Sequence, residues 1–137
     1  RGDPARTPAT DAAAMEASAD AGVDRGDVAA VEVHDCFTIA EVCALEGLGF
    51  YDYGEAVGAA RRGETTADGD LPVNLSGGLK AKGHPVGATG GSQVVEMTRL
   101  LRGDHPNADA VDGTVGLTHN AGGTVASAVV HLLEVVE

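Results

Sequence analysis

The feature that most constrains this chain is a glycine-rich segment around one histidine, residues 77–91, which reads GGLKAKGHPVGATGG. Pro85 fixes its own φ angle and disfavours helical backbone at His84, so the imidazole is held in an extended stretch. The six glycines permit positive φ angles and let a ligand or a second backbone come close. The residues Ser92–Leu101 have a helical pattern, which places His84 beside the free N–H groups of a helix N-terminus. This combination favours acyl chemistry, because it pairs a proton carrier with a stabiliser of negative oxygen.

Other roles of glycine-rich segments fit this sequence less well. A phosphate-binding loop of the Walker type requires Gly-Lys followed by Ser or Thr, and a dinucleotide site requires Gly-x-Gly-x-x-Gly after a long strand. Neither pattern occurs in the segment. The remaining alternative to a functional His84 is a tight turn in which the histidine is only packed.

Composition limits the domain count and the class of partner. The 137 residues, 43% of them hydrophobic, suit one domain with a modest core, and 3% aromatic content predicts a core of Ala, Val and Leu. A net charge of -12, from 21 acidic and 9 basic residues, argues against nucleic-acid binding. A strongly acidic surface poor in lysine predicts a halophilic protein, because high salt screens the repulsion among carboxylates.

The hydrophobic pattern predicts an α/β domain in which helices cover a sheet, with the element order α-β-α-α-α-β-β. The predicted helices are Thr10–Ala21, Thr38–Gly47, Gly54–Arg62 and Ser92–Leu101; the predicted strands are Asp27–Val33, Val111–Thr118 and Thr124–Val136. Thr38 and Glu41 form a capping-box pattern, and the helix behind them carries an apolar stripe of Ile39, Val42, Cys43 and Leu45. Residues 1–9 resemble a linker or cut edge after a missing N-terminal domain, and residues 10–137 form the domain.

Three short polar motifs follow strands or precede helices, where ligands collect in layered α/β folds. They are His34-Asp35-Cys36-Phe37, Gly83-His84-Pro85 and His119-Asn120-Ala121-Gly122-Gly123. Cys36 precedes a helix start that favours a thiolate, which predicts chemistry there, whereas Cys43 on the apolar stripe is expected to be buried and inert. A zinc site is the alternative interpretation of His34, Cys36, His84 and His119, but only the first two have the close spacing that zinc ligands prefer.

Taken together, the three motifs resemble the C-terminal domain of thiolases, over nearly the whole chain from Thr10 to Val136. The similarity is greatest to the branch of sterol-carrier-protein-type and archaeal acetyl-CoA acetyltransferases. Other thiolases carry Asn-Glu-x-Phe where this chain has His34-Asp35-Cys36-Phe37. They carry Cys-x-Gly where it has His119-Asn120-Ala121. These two departures together are typical of the branch.

The resemblance implies a role for each motif residue. His84 corresponds to the histidine that activates the nucleophilic cysteine and lines an oxyanion hole, and His34 replaces the Asn that positions a water there. Cys36 would take over the acid/base role of the missing Cys-x-Gly cysteine. The N–H of Ala121 would be a second oxyanion donor, with His119, Asn120, Gly122 and Phe37 around the pocket. The family's nucleophilic cysteine belongs to the N-terminal domain and has no counterpart in this chain.

The resemblance therefore predicts an acyl-CoA C-acyltransferase that acts on coenzyme A thioesters without a metal or redox cofactor. The expected body has five αβαβα layers, of which this chain is half, and is usually dimeric. Expected partners are the N-terminal domain, an OB-fold/zinc-ribbon protein and hydroxymethylglutaryl-CoA synthase. Two free thiols and no apolar run of membrane-spanning length predict a cytoplasmic protein. The alternatives are a thiolase-like aldolase acting on a β-hydroxyacyl-CoA and a non-catalytic scaffold that binds acyl-CoA.

Overall fold

The computed structural model describes residue 3 and residues 5–136 of the chain. Its helices are α1 (Pro8–Ala21), α2 (Thr38–Gly47), α3 (Ala56–Arg61), α4 (Gly78–Lys82) and α5 (Thr89–Leu101). Its strands are β1 (Val28–Glu32), β2 (Val115–Gly122) and β3 (Ser127–Glu134). The predicted order of elements is confirmed, with the short helix α4 as an addition inside the glycine-rich segment.

The strands form one mixed sheet in the order β1-β2-β3, with β1 parallel to β2 and β2 antiparallel to β3. An isolated parallel bridge from Val31 to Val73 extends the sheet on the far side of β1. Helices α1, α2 and α3 contribute to a buried cluster on one face, which includes Leu45, Val115 and Leu117. Helix α5 contributes Met97 and Leu100 to a second cluster. The predicted layered α/β class, with helices on both faces of a mixed sheet, is confirmed.

Close packing of α5 on the sheet depends on a missing side chain. A Cβ atom at Gly116 of β2 would overlap the thioether of Met97, whose own side chain is fully buried. The helix therefore lies close to the strand, and the first turn of α5 comes next to the end of β2 that carries the polar motif.

Several predicted boundaries at the N-terminal half are wrong. Helix α1 begins at Pro8, with Thr7 as its N-cap residue, because proline is well tolerated at the first helical position. Thr10, the predicted first residue of the helix, lies inside it and is fully buried. Of the predicted linker 1–9, residues 1, 2 and 4 lie outside the described part, and Pro8 and Ala9 belong to α1. Gly22 ends the helix in the left-handed conformation, as its position predicted.

The predicted capping box at the start of α2 does not form. Phe37 is the N-cap residue and makes no side-chain cap bond, while Glu41 accepts a hydrogen bond from Asn74 Nδ2 at 3.1 Å. The Glu41 carboxylate therefore binds an amide in another segment instead of a backbone N–H at the start of its own helix. Ile39, placed on the apolar stripe, is 62% exposed, whereas Leu45 is buried.

In the second half of the chain, the structure differs from the prediction mainly in the length of the strands. The motif His119-Asn120-Ala121-Gly122 continues β2, and Ala121 pairs opposite Ala128 of β3, so these residues are not the connection that the sequence suggested. The turn lies further on, where Thr124 and Val125 have positive φ angles of 55° and 62°. Helix α5 starts at Thr89, three residues earlier than predicted. Within the described ranges, none of the helices combines the length and apolarity that a membrane crossing requires.

Candidate active site

The three polar motifs converge on one cleft of about 360 Å³. His34 and Cys36 come from the segment after β1, and His84 comes from the segment between α4 and α5. The end of β2 contributes His119, Asn120, Ala121 and Gly122. Phe37, predicted as a pocket residue, does not line this cleft and is 72% exposed. A second cleft of about 370 Å³ lies beside the first and shares Thr7 and Cys43 with it.

His84 is fixed to the first turn of α5 by its ring. His84 Nδ1 lies 2.7 Å from the hydroxyl oxygen of Thr89, a buried residue that opens the helix. The backbone reaches this position through Gly83, whose φ of 85° is in the left-handed region that favours glycine. The ring of His84 also meets the ring of His34 edge to face, with centroids 4.9 Å apart.

His34 is held by the amide of Asn120. His34 Nδ1 lies 2.7 Å from Asn120 Oδ1, and because an amide oxygen only accepts, the imidazole nitrogen donates. The neutral ring therefore keeps an unprotonated Nε2. Asn120 itself is packed against α5, where a Cβ at Gly90 would lie 2.9 Å from its amide nitrogen. Gly90 thus allows the first turn of α5 to come close to β2.

His119 is buried behind the other two rings and is only 2% exposed. Its Nε2 lies 3.0 Å from the hydroxyl of Thr10, and Gln93 Nε2 donates to its carbonyl oxygen at 2.9 Å. Its Nδ1 has no hydrogen-bond partner among the described residues. Burial, with a smaller effect of His34, lowers the pKa of His119 to about 4. His119 is therefore neutral at physiological pH and provides a polar but uncharged wall.

The two cysteines line the same cleft but differ in environment. Cys36 is exposed, and Cys43 is half-buried between the two clefts. Burial, followed by the negative charges of Glu46 and Asp3, raises the pKa of the Cys43 thiol. Both cysteines are free thiols. The neutral thiol form is thus favoured at Cys43, but the residue is half-buried and not buried as its place on the apolar stripe predicted.

Two buried carboxylates hold the segment that carries His84 against the strand end that carries His34. Asp35, 3% exposed, accepts the backbone N–H of Leu79 at 2.8 Å, and a Cβ at Gly78 would overlap its carboxylate. Glu32, fully buried, accepts the N–H of Ser76 at 3.0 Å and also its hydroxyl. The ammonium of Lys82 lies 3.6 Å from Glu32 and offsets its charge. These bonds fix the distance between the two halves of the cleft.

Sequence reasoning missed the residues that support the predicted ones. Thr89 was visible only as part of the glycine-rich motif, and Thr10 lies 109 positions from its partner His119, so no local pattern could pair them. Asp35 was quoted only as part of a motif, without a role. Among residue 3 and residues 5–136, no group of three or more His, Cys, Asp or Glu side chains is arranged to hold a metal ion.

The cleft therefore combines two imidazoles in ring contact, an accessible thiol and a third, uncharged imidazole. The unprotonated Nε2 of His34 can accept a hydrogen from water, and the thiol can exchange a proton with a bound molecule. Such a set is suited to proton transfer next to a carbonyl group, with the charge that develops on oxygen met by N–H or O–H donors.

Comparison with known proteins adds independent information on this arrangement. The family model described as "Thiolase C-terminal domain-like" matches residues 1–135. The chain is 48% identical over 132 residues to an acetyl-CoA acetyltransferase of Methanothermobacter thermautotrophicus, which covers 96% of this chain and 34% of that protein. It is 40% identical over 101 residues to sterol carrier protein 2 of Bos taurus, covering 74% of this chain and 19% of the relative.

A solved structure is similar over almost the whole chain. The structure named Ltp2-ChsH2(DUF35) aldolase superposes with a TM-score of 0.84 at 29% sequence identity, over 98% of this chain and 34% of the other. The chain thus spans about a third or less of the length of these proteins.

Proposed function

The chain belongs to the thiolase C-terminal domain-like family, and on that premise we propose that it supplies half of the active site of an acyl-CoA C-acyltransferase. The reaction is a Claisen condensation of two acyl-CoA molecules and its thiolytic reverse, for example between acetyl-CoA and acetoacetyl-CoA in lipid metabolism. The observation that carries the proposal is the convergence of His34, Cys36 and His84 on one cleft, with the two imidazole rings in contact.

In the first step, His84 takes the proton from a nucleophilic cysteine of the N-terminal domain, and the thiolate attacks the thioester carbon of an acyl-CoA. The bond from that carbon to the coenzyme A sulfur breaks, the proton passes from His84 to that sulfur, and the acyl group remains on the enzyme. His34 assists through a water molecule. Its Nδ1 donates to Asn120, so its Nε2 accepts one hydrogen of the water, whose other hydrogen stabilises the developing oxyanion.

In the second step, Cys36 as its thiolate removes a proton from the α-carbon of a second acyl-CoA. The resulting enolate attacks the acyl-enzyme, and a carbon–carbon bond forms. The cysteine of the N-terminal domain leaves as a thiolate, which takes up the proton that Cys36 removed. The backbone N–H of Ala121 is the proposed second donor to the oxyanion. Cys36 suits this role because it is exposed on the same cleft as His84, whereas burial raises the pKa of Cys43.

The substrates, cofactors, cellular location, oligomeric state and partners of the protein are proposed from the same family membership. Coenzyme A thioesters are the substrates, no metal or redox cofactor is required, and the protein acts in the cytoplasm as a homo-oligomer, most simply a dimer. The N-terminal thiolase domain is the immediate partner. A second protein, of OB-fold/zinc-ribbon type, is a further proposed partner, and the two-part name of the structural neighbour, Ltp2-ChsH2(DUF35) aldolase, supports the existence of a partner protein. Hydroxymethylglutaryl-CoA synthase is a further proposed partner, and the charge of -12 supports a halophilic origin.

An aldolase that cleaves a β-hydroxyacyl-CoA is a second candidate, favoured by the similarity to the aldolase structure. It differs in chemistry, because such a cleavage forms no acyl-enzyme. The complete protein is incubated with acetyl-CoA and, separately, with a β-hydroxyacyl-CoA, and both mixtures are followed by mass spectrometry. An acetylated cysteine in the first supports the acyltransferase, and cleavage of the β-hydroxyacyl-CoA without an acylated cysteine supports the aldolase. A scaffold without activity is disfavoured by the intact set of His34, Cys36 and His84.

The acyltransferase is tested by the variant His84→Ala in the complete protein. We expect thiolysis of acetoacetyl-CoA to slow by about 10²–10⁴-fold, the usual contribution of a positioned acid/base. His131→Ala is the matched control, since His131 is exposed on β3 and does not line the cleft. Full activity of His84→Ala together with a native circular dichroism spectrum would show that His84 is a packing residue.

A further inference from the structure

We infer that Thr89 is a positioning residue that sets the tautomer of His84, with the proton on Nδ1 and the lone pair on Nε2. The kinetic consequence of this inference rests on the proposed function, while the hydrogen-bond geometry does not. Neither the family match nor the relatives assign a role to Thr89.

The argument starts from the single proton of the Thr89 hydroxyl. Thr89 Oγ1 lies 3.3 Å from the carbonyl oxygen of Pro85 and 2.7 Å from Nδ1 of His84. A carbonyl oxygen can only accept, so the contact with Pro85 is a hydrogen bond only when the Thr89 hydroxyl donates to it. Both contacts of the hydroxyl are therefore hydrogen bonds in one arrangement alone, in which its lone pair accepts from a hydrogen on Nδ1 of His84.

The surroundings of Thr89 keep the hydroxyl in this orientation. The residue is 2% exposed and is the first residue of α5, with its backbone N–H donating to the same Pro85 oxygen at 3.0 Å. A buried hydroxyl has few alternative partners, because water has no access to it. The side chain therefore joins the His84 ring to the helix turn that begins at Pro85.

The tautomer decides what His84 can do. A neutral imidazole carries one hydrogen, so a hydrogen on Nδ1 leaves Nε2 as the only atom that can accept a proton. The opposite tautomer would place the hydrogen on Nε2 and remove the base from that side of the ring. Thr89 thus prepares His84 to take the thiol proton from a nucleophile that approaches Nε2.

The test uses the complete protein with ¹⁵N-labelled histidine. It compares three threonine variants, and a fourth variant serves to assign the signals. Thr89→Val keeps the shape of the side chain but removes the hydroxyl, and Thr89→Ser restores the hydroxyl. Thr98→Val is the matched control, because the Thr98 hydroxyl makes the same type of bond within α5, to the Val94 oxygen at 2.7 Å, without a histidine partner. His84→Gln assigns the ring signals of His84.

We expect Nδ1 of His84 to be the protonated nitrogen in the wild type, in Thr89→Ser and in Thr98→Val at a pH where the ring is neutral. In Thr89→Val the proton should redistribute toward Nε2. The kcat of thiolysis should fall about 10–100-fold with little change in KM, a loss typical when the partner that orients an imidazole is removed. Thr89→Ser should recover most of that loss.

A proton on Nε2 of His84 in the wild type, or an unchanged tautomer in folded Thr89→Val, would overturn the inference. The wild-type spectrum decides the question even if Thr89→Val does not fold. If the wild type has no thiolase activity but its tautomer shifts in Thr89→Val as described, the proposed function fails and the inference on Thr89 stands.

Discussion

Three histidines share one cleft, yet their surroundings give them different properties. His84 is exposed and bonded to a threonine, His34 is nearly buried and bonded to an amide, and His119 is buried with its Nδ1 unpartnered among the described residues. The pKa of His119 is lowered to about 4, so this ring stays neutral over the pH range in which an exposed histidine would titrate. Of the three rings, only those of His34 and His84 are therefore in a position to exchange protons with a ligand.

At the residue scale, the two cysteines should differ in reactivity. Cys36 is exposed, whereas Cys43 is half-buried and burial raises the pKa of its thiol, which disfavours the reactive thiolate. We expect iodoacetamide to label Cys36 first in the folded protein near neutral pH, with Cys43 labelled more slowly until the protein unfolds. Mass spectrometry of the labelled peptides measures the order.

The variants Cys36→Ser and Cys43→Ser separate function from packing. Cys36→Ser should impair condensation more than acylation of the nucleophile, because a serine hydroxyl is a poor carrier for the α-carbon proton. Cys43→Ser should instead lower the free energy of unfolding by about 1–2 kcal/mol. Earlier labelling of Cys43, or normal condensation by Cys36→Ser, would assign the acid/base role to another group.

At the scale of the elements, the geometry of the cleft depends on how α4 is attached to the end of β1. Asp35 accepts a hydrogen bond from a backbone N–H of α4, and Glu32 accepts one from the segment that leads into α4. On that segment, Asn74 accepts one from the N–H of Val33 at 2.8 Å. The strand end and the glycine-rich segment are therefore joined by side chain to backbone bonds. This attachment is what holds the His84 ring next to the ring of His34.

Loss of one of these attachments should reduce stability. In Asp35→Ala the N–H of Leu79 is left without its acceptor, and we expect the free energy of unfolding to fall by about 1–3 kcal/mol. The control is Asp109→Ala, an exposed carboxylate on the short 3₁₀ turn Ala108–Ala110, for which a change within about 0.5 kcal/mol is expected. Urea denaturation measures both, and equal stability of the two variants would exclude the attachment through Asp35.

At the scale of the whole molecule, acidic residues outnumber basic ones, and the lysines are confined to one element. The net charge is -12, but the two lysines of the chain, Lys80 and Lys82, both lie on α4, within four residues of His84. Lys82 faces the buried Glu32, and Lys80 donates to the hydroxyl of Thr38 at 3.2 Å. Both lysine side chains therefore have partners in the segments packed against α4.

The excess of carboxylates should make folding depend on salt. We expect the Tm to rise between ~0.1 M and ~3 M KCl, because the salt screens repulsion among the exposed acids. The double variant Asp68→Asn, Asp109→Asn removes two exposed charges and should show a smaller rise. Equal melting temperatures of the wild type in both salt concentrations would leave the charge without a halophilic explanation.

The sequence by itself determined the order of the elements, the layered α/β class and the family. These features depend on local signals: apolar periodicity, the φ constraint of Pro85, and glycines such as Gly22 that end a helix in the left-handed region. It also identified His34, Cys36, His84 and His119, because short polar motifs next to regular elements are visible without coordinates. The roles of these residues remain predictions that the experiments above address.

Only the tertiary structure decided which side chains support these residues. The bond from Thr10 to His119, the acceptance of Leu79 N–H by Asp35 and the exposure of Ile39 all depend on how distant segments pack. The same holds for the length of β2, which continues through the His119 motif because β3 pairs with it up to Ser127. Local propensity cannot determine such features, because strand pairing and burial depend on contacts between residues far apart in sequence.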